Sequence, residues 1–264
     1  MPLAKPREIP SQEIILAVSE LDVLGENGRA VTFGSLFEQQ KTLAVFIRAL
    51  YVQTTFWLFL MSWQPQSYMM QLASIPRKEL GDANVQLIVI GCGSWDVIPS
   101  YKEITGFNGE VYADPSRSIF RTLELKSGFQ GLTLTPLGQK KKSYITRVTN
   151  NTPWYSIRGL IRAFIKNPRF VGKIGNMTQL GGDFVFGPGP ICTFASRMQH
   201  AEDHVEVSEL TQHLGISARP PSLSQMLAIL PVSEQSRRNC SELLPDELVV
   251  VPSQLEDPGY TRSR

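Results

Sequence analysis

Two short apolar runs mark the first half of the chain. Residues 43–47 read LAVFI and residues 85–90 read VQLIVI, so both are almost entirely apolar over the length of a strand. Such runs are typical of interior strands that are covered on both faces of a parallel sheet. We therefore predict that the two segments are adjacent parallel strands at the centre of a sheet.

Strand and helix patterns alternate around these two runs. The sequence predicts short strands at 31–33 and 110–112, helical material at 54–75 interrupted at Pro65, and helices at 95–104 and 116–123. Ser35 and Ser94 are the residue type preferred as helix N-caps and stand where helices are expected to begin. Alternation of this kind favours βαβ units and a largely parallel sheet.

The second half of the chain has a different pattern. Residues 183–186 and 191–195 are strand-like and flank a Gly-Pro-Gly-Pro turn, which predicts a hairpin. Residues 207–214 predict a helix that ends at Gly215, and residues 152–166 carry the apolar stripe of an amphipathic helix. A β-α-β half followed by a β-β-α half predicts an α/β fold, a thioredoxin-like central mixed sheet flanked by helices.

Composition divides the chain into three parts. We expect residues 1–20 to be an N-terminal extension, residues 21–216 to be the thioredoxin-like domain, and residues 217–264 to be a disordered tail. The tail prediction rests on a shift to Ser, Pro, Arg and Glu after Gly215, which leaves little apolar surface to bury.

Charge and cysteine usage restrict the classes of partner and compartment. The chain has 264 residues with 26 Lys plus Arg against 24 Asp plus Glu, so its net charge of +2 gives no reason to expect a nucleic-acid or anionic-membrane partner. The N-terminus lacks the apolar core of a signal peptide, and the apolar stretch 56–61 is far shorter than the roughly 20 residues of a membrane span. Three well-separated cysteines fit a reducing compartment. We expect a cytoplasmic protein.

No pattern for a metal or a cofactor is present. His200 and His204 are four residues apart, but the residues between them look like a solvated loop and no third ligand is nearby. The chain has no glycine-rich phosphate loop and no dinucleotide fingerprint. We therefore expect neither a bound metal nor a cofactor.

Five separate strings point together to one family. In chain order they are residues 87–93 (LIVIGCG), 101–106 (YKEITG), 111–117 (VYADPSR), 179–189 (QLGGDFVFGPG) and 194–197 (FASR). Their order and spacing resemble the peroxiredoxin-like AhpC/TSA antioxidant enzymes over residues 21–216. The resemblance implies a thioredoxin-like fold and a thiol-dependent oxidoreductase that takes a peroxide or other small molecule as substrate and a thiol as reductant.

The resemblance fails at the expected nucleophile. In the family, the strand that matches residues 43–47 and the Arg that follows it lead into a loop with a Cys-x-x-Cys pair at a helix start, where the thiol pKa is lowered. Arg48 is present here, but no cysteine follows it in residues 49–69. Two explanations are open: segment 49–63 is genuinely divergent, or it is a retained intron in the translated sequence. The transcript across codons 48 to 66 distinguishes them.

Another cysteine is a candidate for the missing thiol. Cys92 follows the strand at 85–90 and precedes a predicted helix, a position that favours a thiolate, so Cys92 and Arg48 are the candidate catalytic residues. The competing interpretation, which we favour, is a small buried residue at a strand end. Cys192 is predicted to be inert packing in the hairpin, and Cys240 falls in the tail.

Two functions from different classes follow. The first is a peroxiredoxin-like oxidoreductase that is degenerate at its active site. The second is a non-catalytic binding or accessory protein of the same fold, for example in the biosynthesis of a small molecule. The fold cannot decide between them because function resides in the site. The sequence leaves the oligomeric state open.

Overall fold

The structure, a computed structural model, describes residues 4–48, 68–69, 71–128, 173, 175–176 and 178–216. In this part of the chain the strands are β1 (Asp22–Leu24), β2 (Ala30–Thr32), β3 (Lys41–Ile47), β4 (Val85–Gly91), β5 (Glu110–Ala113), β6 (Gly182–Phe186) and β7 (Cys192–Arg197). The α-helices are α1 (Gln12–Ser19), α2 (Arg77–Asp82), α3 (Ile98–Thr105), α4 (Ser118–Thr122) and α5 (Val207–Leu214), with 3₁₀ helices at Phe33–Phe37 and Trp95–Val97. Residues 68–69 and 71–73 are also helical.

The seven strands form one mixed sheet. Their order is β2-β1-β5-β4-β3-β6-β7, with β4 parallel to both β3 and β5 and the other neighbours antiparallel. The prediction of two adjacent, interior, parallel strands is confirmed by β3 and β4, and the predicted hairpin by β6 and β7. The α/β fold with a mixed sheet is therefore confirmed.

Strand β3 shows why the centre of the sheet is apolar on both faces. Leu43, Val45 and Ile47 point into one hydrophobic core, and Ala44 and Phe46 point into the other. All five side chains are buried. Full burial of a large apolar side chain contributes roughly 1.5–3 kcal/mol, so this strand can be stable only between two layers. Helix α3, helix α5 and residues 68–69 and 71–75 supply side chains to the first core, and α1 and α4 supply side chains to the second.

One helix cap was predicted wrongly. Strand β2 ends at Thr32, and the buried Phe33 already begins the 3₁₀ helix Phe33–Phe37. Ser35 therefore lies inside that helix, where its hydroxyl donates to the Thr32 carbonyl oxygen at 2.7 Å instead of capping. Ser94 does occupy the N-cap position before Trp95, but its side chain makes no capping hydrogen bond.

The two ends of the described region are helical. The predicted N-terminal extension contains α1, whose N-cap Ser11 accepts from the Ile14 N–H and whose Ile15 and Val18 are buried. Helix α5 ends as predicted, because Gly215 adopts the left-handed conformation with φ of 75°. The predicted helix at 152–166 and the predicted tail at 217–264 lie outside the described residues. Nothing in the described part of the chain is a helix long and apolar enough to cross a membrane.

Candidate active site

Three residues form a row at the carboxyl ends of the three parallel strands. Ile47 of β3 pairs with Gly91 of β4, and Gly91 pairs with Ala113 of β5. The next residue on each strand is therefore Arg48, Cys92 and Asp114, which we call the strand-end row. All three are buried, with 6%, 4% and 1% of their surface exposed. Ligands of open α/β sheets bind outside this edge, so the row is the candidate active site.

The structure brings the two sequence-predicted residues of the site together. The Cys92 thiol donates to the carbonyl oxygen of Arg48, with 2.7 Å between sulfur and oxygen. The same sulfur accepts from the Asn176 backbone N–H at 3.3 Å. These partners of the thiol are backbone groups, one directly after β3 and one from a distant part of the chain.

The environment of Cys92 favours a neutral thiol. Burial raises the pKa of the Cys92 thiol, against the opposing influence of the Asn176 N–H and the positive charge of Arg117. Burial also lowers the pKa of the Arg48 guanidinium, an effect that the nearby Cys92 partly offsets. A thiolate is the nucleophilic form, so Cys92 rests in its less reactive state.

The predicted helix terminus does not supply the environment of Cys92. The 3₁₀ helix begins three residues later at Trp95, and α3 begins only at Ile98. The contacts of the sulfur go instead to Arg48 and Asn176. The position fits the interpretation of Cys92 as a small buried residue at a strand end.

The third member of the row links the site to helix α4. The Asp114 carboxylate accepts from the backbone N–H groups of Ser118 and Ile119, at 3.2 and 2.9 Å, which caps the helix. Arg117, directly before Ser118, has a left-handed backbone with φ of 57°. The positive charge of its side chain lowers the pKa of the Cys92 thiol, against the larger effect of burial. The place of Asp114 beside Cys92 depends on the parallel register of β4 and β5.

A second buried polar group was missed by the sequence analysis. The Asp183 carboxylate accepts from the Tyr68 hydroxyl at 3.0 Å and from the Val205 N–H at 3.0 Å, and it lies 3.1 Å from Nδ1 of His204. The rings of Tyr68 and His204 are stacked, with centroids 4.3 Å apart. We call Asp183, Tyr68 and His204 the Asp183 cluster. One signal was available, since a carboxylate within an apolar strand requires buried partners.

The remaining candidate residues lie apart from the row. Cys192 on β7 is buried, its sulfur contacts the Phe194 carbonyl oxygen at 3.2 Å, and burial raises its pKa to about 11. His200 and His204 do not converge, because Nδ1 of His200 accepts from the Glu202 N–H while His204 faces Asp183. Cys240 and the segment 49–67 lie outside the described residues. Within the described part of the chain, no group of three or more His, Cys, Asp or Glu side chains could hold a metal ion.

Comparison with known proteins places the chain in a family. Residues 71–200 match the family model described as AhpC/TSA antioxidant enzyme, and this range contains Cys92. A solved structure of peroxiredoxin Q from Xanthomonas campestris is similar at 12% identity and a TM-score of 0.45, covering 84% of this chain and 95% of that one. A chloroplastic thioredoxin-like protein from Arabidopsis thaliana is 42% identical over 66 residues, 25% of this chain and 26% of that protein.

Longer similarity is found among animal proteins. Peroxiredoxin-like 2C from Bos taurus is 33% identical over 218 residues, which cover 81% of this chain and 87% of the relative. The Mus musculus protein of the same name is 32% identical over 205 residues, which cover 78% of this chain and 82% of the relative. On this extent of similarity, the chain belongs to the peroxiredoxin-like AhpC/TSA antioxidant-enzyme family.

Proposed function

We propose that this protein is a thiol-dependent oxidoreductase of the peroxiredoxin type whose peroxidase site is degenerate, and that Cys92 carries the thiol chemistry that remains. The observation that supports it is the strand-end row, in which a cysteine lies between Arg48 and Asp114 at the edge of the sheet where such folds bind ligands. The family to which the chain belongs supplies the reaction class.

The chemistry proposed for Cys92 balances with one peroxide and two external thiols. The thiolate sulfur bonds to one peroxide oxygen, the O–O bond breaks, and the departing oxygen leaves as an alcohol or water after taking a proton. Cys92 is then a sulfenic acid. One reductant thiol displaces water from it to form a mixed disulfide, and a second thiol releases the Cys92 thiol as the reductant is oxidised to a disulfide.

Burial sets the expected rate of this reaction. A thiol with the ordinary pKa of 9.0 is about 1% ionised at pH 7, and burial of Cys92 raises its pKa above that value. Cys92 is 4% exposed, and the contacts of its sulfur are with backbone groups. The fraction of reactive, accessible thiolate is therefore small, so turnover is expected far below that of a relative with a dedicated peroxidatic cysteine.

The proposed setting is a reducing cytoplasm, where an antioxidant role needs a supply of thiol. The cysteine pattern supports this setting, because Cys92 and Cys192 are both free thiols in the structure. We propose a peroxide or similar small molecule as substrate and a low-molecular-weight or protein thiol as reductant, with no nucleic-acid or membrane partner.

A peroxide-consumption assay with dithiothreitol as reductant tests the proposal. The proteins compared are the unchanged chain, Cys92→Ser, and the matched control Cys192→Ser, which removes another buried thiol. We expect slow turnover that Cys92→Ser abolishes and Cys192→Ser preserves. Turnover that survives Cys92→Ser would show that another group carries the chemistry. Complete inactivity of all three proteins would favour the binding or accessory function.

A further inference from the structure

The N-terminal segment runs along one outer edge of the sheet. Strand β7 is the last strand in the sheet order and is paired with β6 on one side. At one end of β7 the Arg197 N–H donates to the Pro6 carbonyl oxygen at 2.8 Å, and beyond the other end the Gln12 side-chain amide donates to the Pro190 carbonyl oxygen at 3.0 Å. The segment therefore passes β7 in the antiparallel direction. We call residues 5–12 the edge cover.

Two arginine side chains fasten the edge cover to β7. The guanidinium of the buried Arg197 donates from Nη1 to the carbonyl oxygens of Lys5 and Glu8. In the other direction, the Arg7 side chain of the cover lies over the ring of Phe194 on β7, with 5.2 Å from Cζ to the ring centroid. The cover is therefore held against the strand mainly by side chains.

The edge cover cannot continue the sheet as a regular strand. Pro6 and Pro10 have no backbone N–H, and the Glu8 N–H donates at 3.1 Å to the Lys5 carbonyl oxygen inside the cover itself. Within the described residues, the bond from Arg197 to Pro6 is the one backbone hydrogen bond that joins the cover to β7. A segment with two prolines lacks the donors of a regular ladder. The cover thus occupies the edge without extending the ladder.

The covered edge has the composition of a strand that pairs with a copy of itself. Residues 184–196 contain no charged side chain. Ile191 and Thr193 are exposed, and together with Phe194 they are of types favoured in strands. An exposed, uncharged edge strand is a template for pairing with another chain. Two identical edges can meet about a twofold axis, where each supplies the same donors and acceptors and no like charges face each other.

We propose that the edge cover prevents association of the chain through β7, and that the partner it excludes is β7 of a second copy of this chain. Loss of the cover exposes the edge, and two antiparallel β7 strands then join two copies into a symmetric dimer. This role of the N-terminal segment does not depend on Cys92 or on the proposed reaction.

Sedimentation velocity of the full chain over a range of protein concentrations tests the proposal. Arg197→Met removes the side-chain hydrogen bonds to the cover, so its dimer dissociation constant should be at least about tenfold lower than that of the unchanged chain. The matched control is Arg7→Gln, which removes an arginine of the same segment whose side chain is 48% exposed. This control should sediment like the unchanged chain.

A lysine on the edge strand identifies the surface that pairs. Thr193→Lys adds a charge at an exposed position of β7, and edge lysines oppose strand pairing. Combined with Arg197→Met, it should restore the monomer. The matched control is Thr32→Lys, because Thr32 is an exposed threonine on β2 at the opposite edge of the sheet. In the Arg197→Met background, this second lysine should leave the dimer intact.

Circular dichroism and urea denaturation establish that each variant is folded. If Arg197→Met does not fold, Arg197→Lys replaces it. Lysine retains a donor for the Leu123 carbonyl oxygen, but one ammonium cannot reproduce the planar fork that also bonds to Lys5 and Glu8. We expect the same shift toward a dimer, reversed by the same Thr193→Lys change.

Three results would overturn the proposal. The first is a folded Arg197 variant whose association does not exceed that of the unchanged chain. The second is a dimer of that variant which Thr193→Lys fails to dissociate, since the copies would then meet through another surface. The third is a dimer of the unchanged chain that Thr193→Lys dissociates, because a second copy would then pair with β7 while the cover is in place.

Discussion

The Asp183 carboxylate accepts a hydrogen bond from the Tyr68 hydroxyl inside the domain, with 3.0 Å between the two oxygens. Asp183 is fully buried and also lies 3.1 Å from Nδ1 of His204. A buried carboxylate is tolerated only where its oxygens are hydrogen-bonded, and here the partners come from two distant parts of the chain. The Asp183 cluster therefore ties the helical residues at 68–69 and the segment before α5 to strand β6.

Replacement of Asp183 by Asn should be strongly destabilising despite its matched shape. One oxygen becomes an NH₂ group, which cannot accept from both the Tyr68 hydroxyl and the Val205 N–H as the carboxylate does. Leaving buried donors without an acceptor costs about 2–4 kcal/mol. Urea denaturation of Asp183→Asn should give a free energy of unfolding that is lower than that of the unchanged chain by this amount.

Tyr68→Phe is the control for this prediction. It removes one hydroxyl donor and leaves the ring stacked on His204 and the carboxylate bonded to Val205. The expected loss of unfolding free energy is about 1 kcal/mol. An Asp183→Asn protein no less stable than Tyr68→Phe would contradict the assigned role of the carboxylate.

Arg197 should prove essential for holding the N-terminal segment. The side chain is buried at the end of β7, where Nε donates to the Leu123 carbonyl oxygen at 2.8 Å and Nη1 donates to the carbonyl oxygens of Lys5 and Glu8. Arg197→Met fills a similar volume but removes these three hydrogen bonds. We expect a loss of about 3 kcal/mol in unfolding free energy and rapid proteolysis within the first ten residues.

Arg7→Gln is the surface counterpart of that change. Arg7 pairs with Glu209, but the two side chains are 48% and 47% exposed. An exposed pair contributes at most about 1 kcal/mol, so this variant should keep the N-terminal segment protected. Equal proteolysis of Arg7→Gln and Arg197→Met would show that the buried contacts of Arg197 do not hold the segment.

The sequence predicted those parts of the sheet that a short run of neighbouring residues determines. The runs that became β3 and β4 are apolar on both faces, so burial alone fixed their place at the centre. Gly215 likewise ends α5 because its left-handed backbone is a property of the residue itself. The Ser35 prediction was wrong because a cap depends on where the helix begins, and with Phe33 buried as the first helical residue the cap position is Thr32, three residues earlier.

The sequence predicted two residues of the candidate site, but it did not predict that they are in contact. Arg48 and Cys92 could each be selected from their position after an apolar strand, whereas their contact follows from the parallel register of β3 and β4. Asn176 is 84 residues from Cys92, and Asp183 is 115 residues from Tyr68. No local pattern encodes pairings over such distances, because they depend on the path of the whole chain.

Arg117 and Asp114 should tune the reactivity of Cys92 in opposite directions. Burial is the main cause of the raised pKa of Cys92, and on top of it the charge of Arg117 lowers the pKa while that of Asp114 raises it. In a protein that carries Cys192→Ser and Cys240→Ser and so retains only Cys92, Arg117→Gln should move the pH profile of thiol alkylation to higher pH, and Asp114→Asn should move it to lower pH. Asn retains one acceptor for the α4 cap, so the helix should persist.

The pH profile of iodoacetamide alkylation measures both shifts. The midpoint of the profile reports the thiol pKa, whereas a change in access alters the rate at every pH by the same factor. Shifts of both variants in one direction would mean that changes in packing, rather than the two charges, control the thiol.

Cys192 should make the protein less stable at alkaline pH. Burial raises its pKa from 9.0 to about 11, so the folded state holds the thiol proton more tightly than the unfolded chain does. Its contribution is fully present below pH 9, where both states are protonated. As the pH rises from 9.0 to 11, the unfolded thiol ionises first, and a difference of about two pKa units corresponds to a loss of about 2–3 kcal/mol.

Urea denaturation across this pH range, with Cys192→Ala as the comparison, isolates that contribution. Cys92 and the other titrating groups are common to both proteins, so their effects cancel in the difference. At pH 7 the variant should be less stable because a buried side chain is shortened. The gap between the two proteins should then narrow as the pH rises above 9, since only the unchanged chain loses the protonation free energy of Cys192. Parallel stability curves from neutral pH to pH 11 would show that the thiol ionises equally well in the folded and unfolded states.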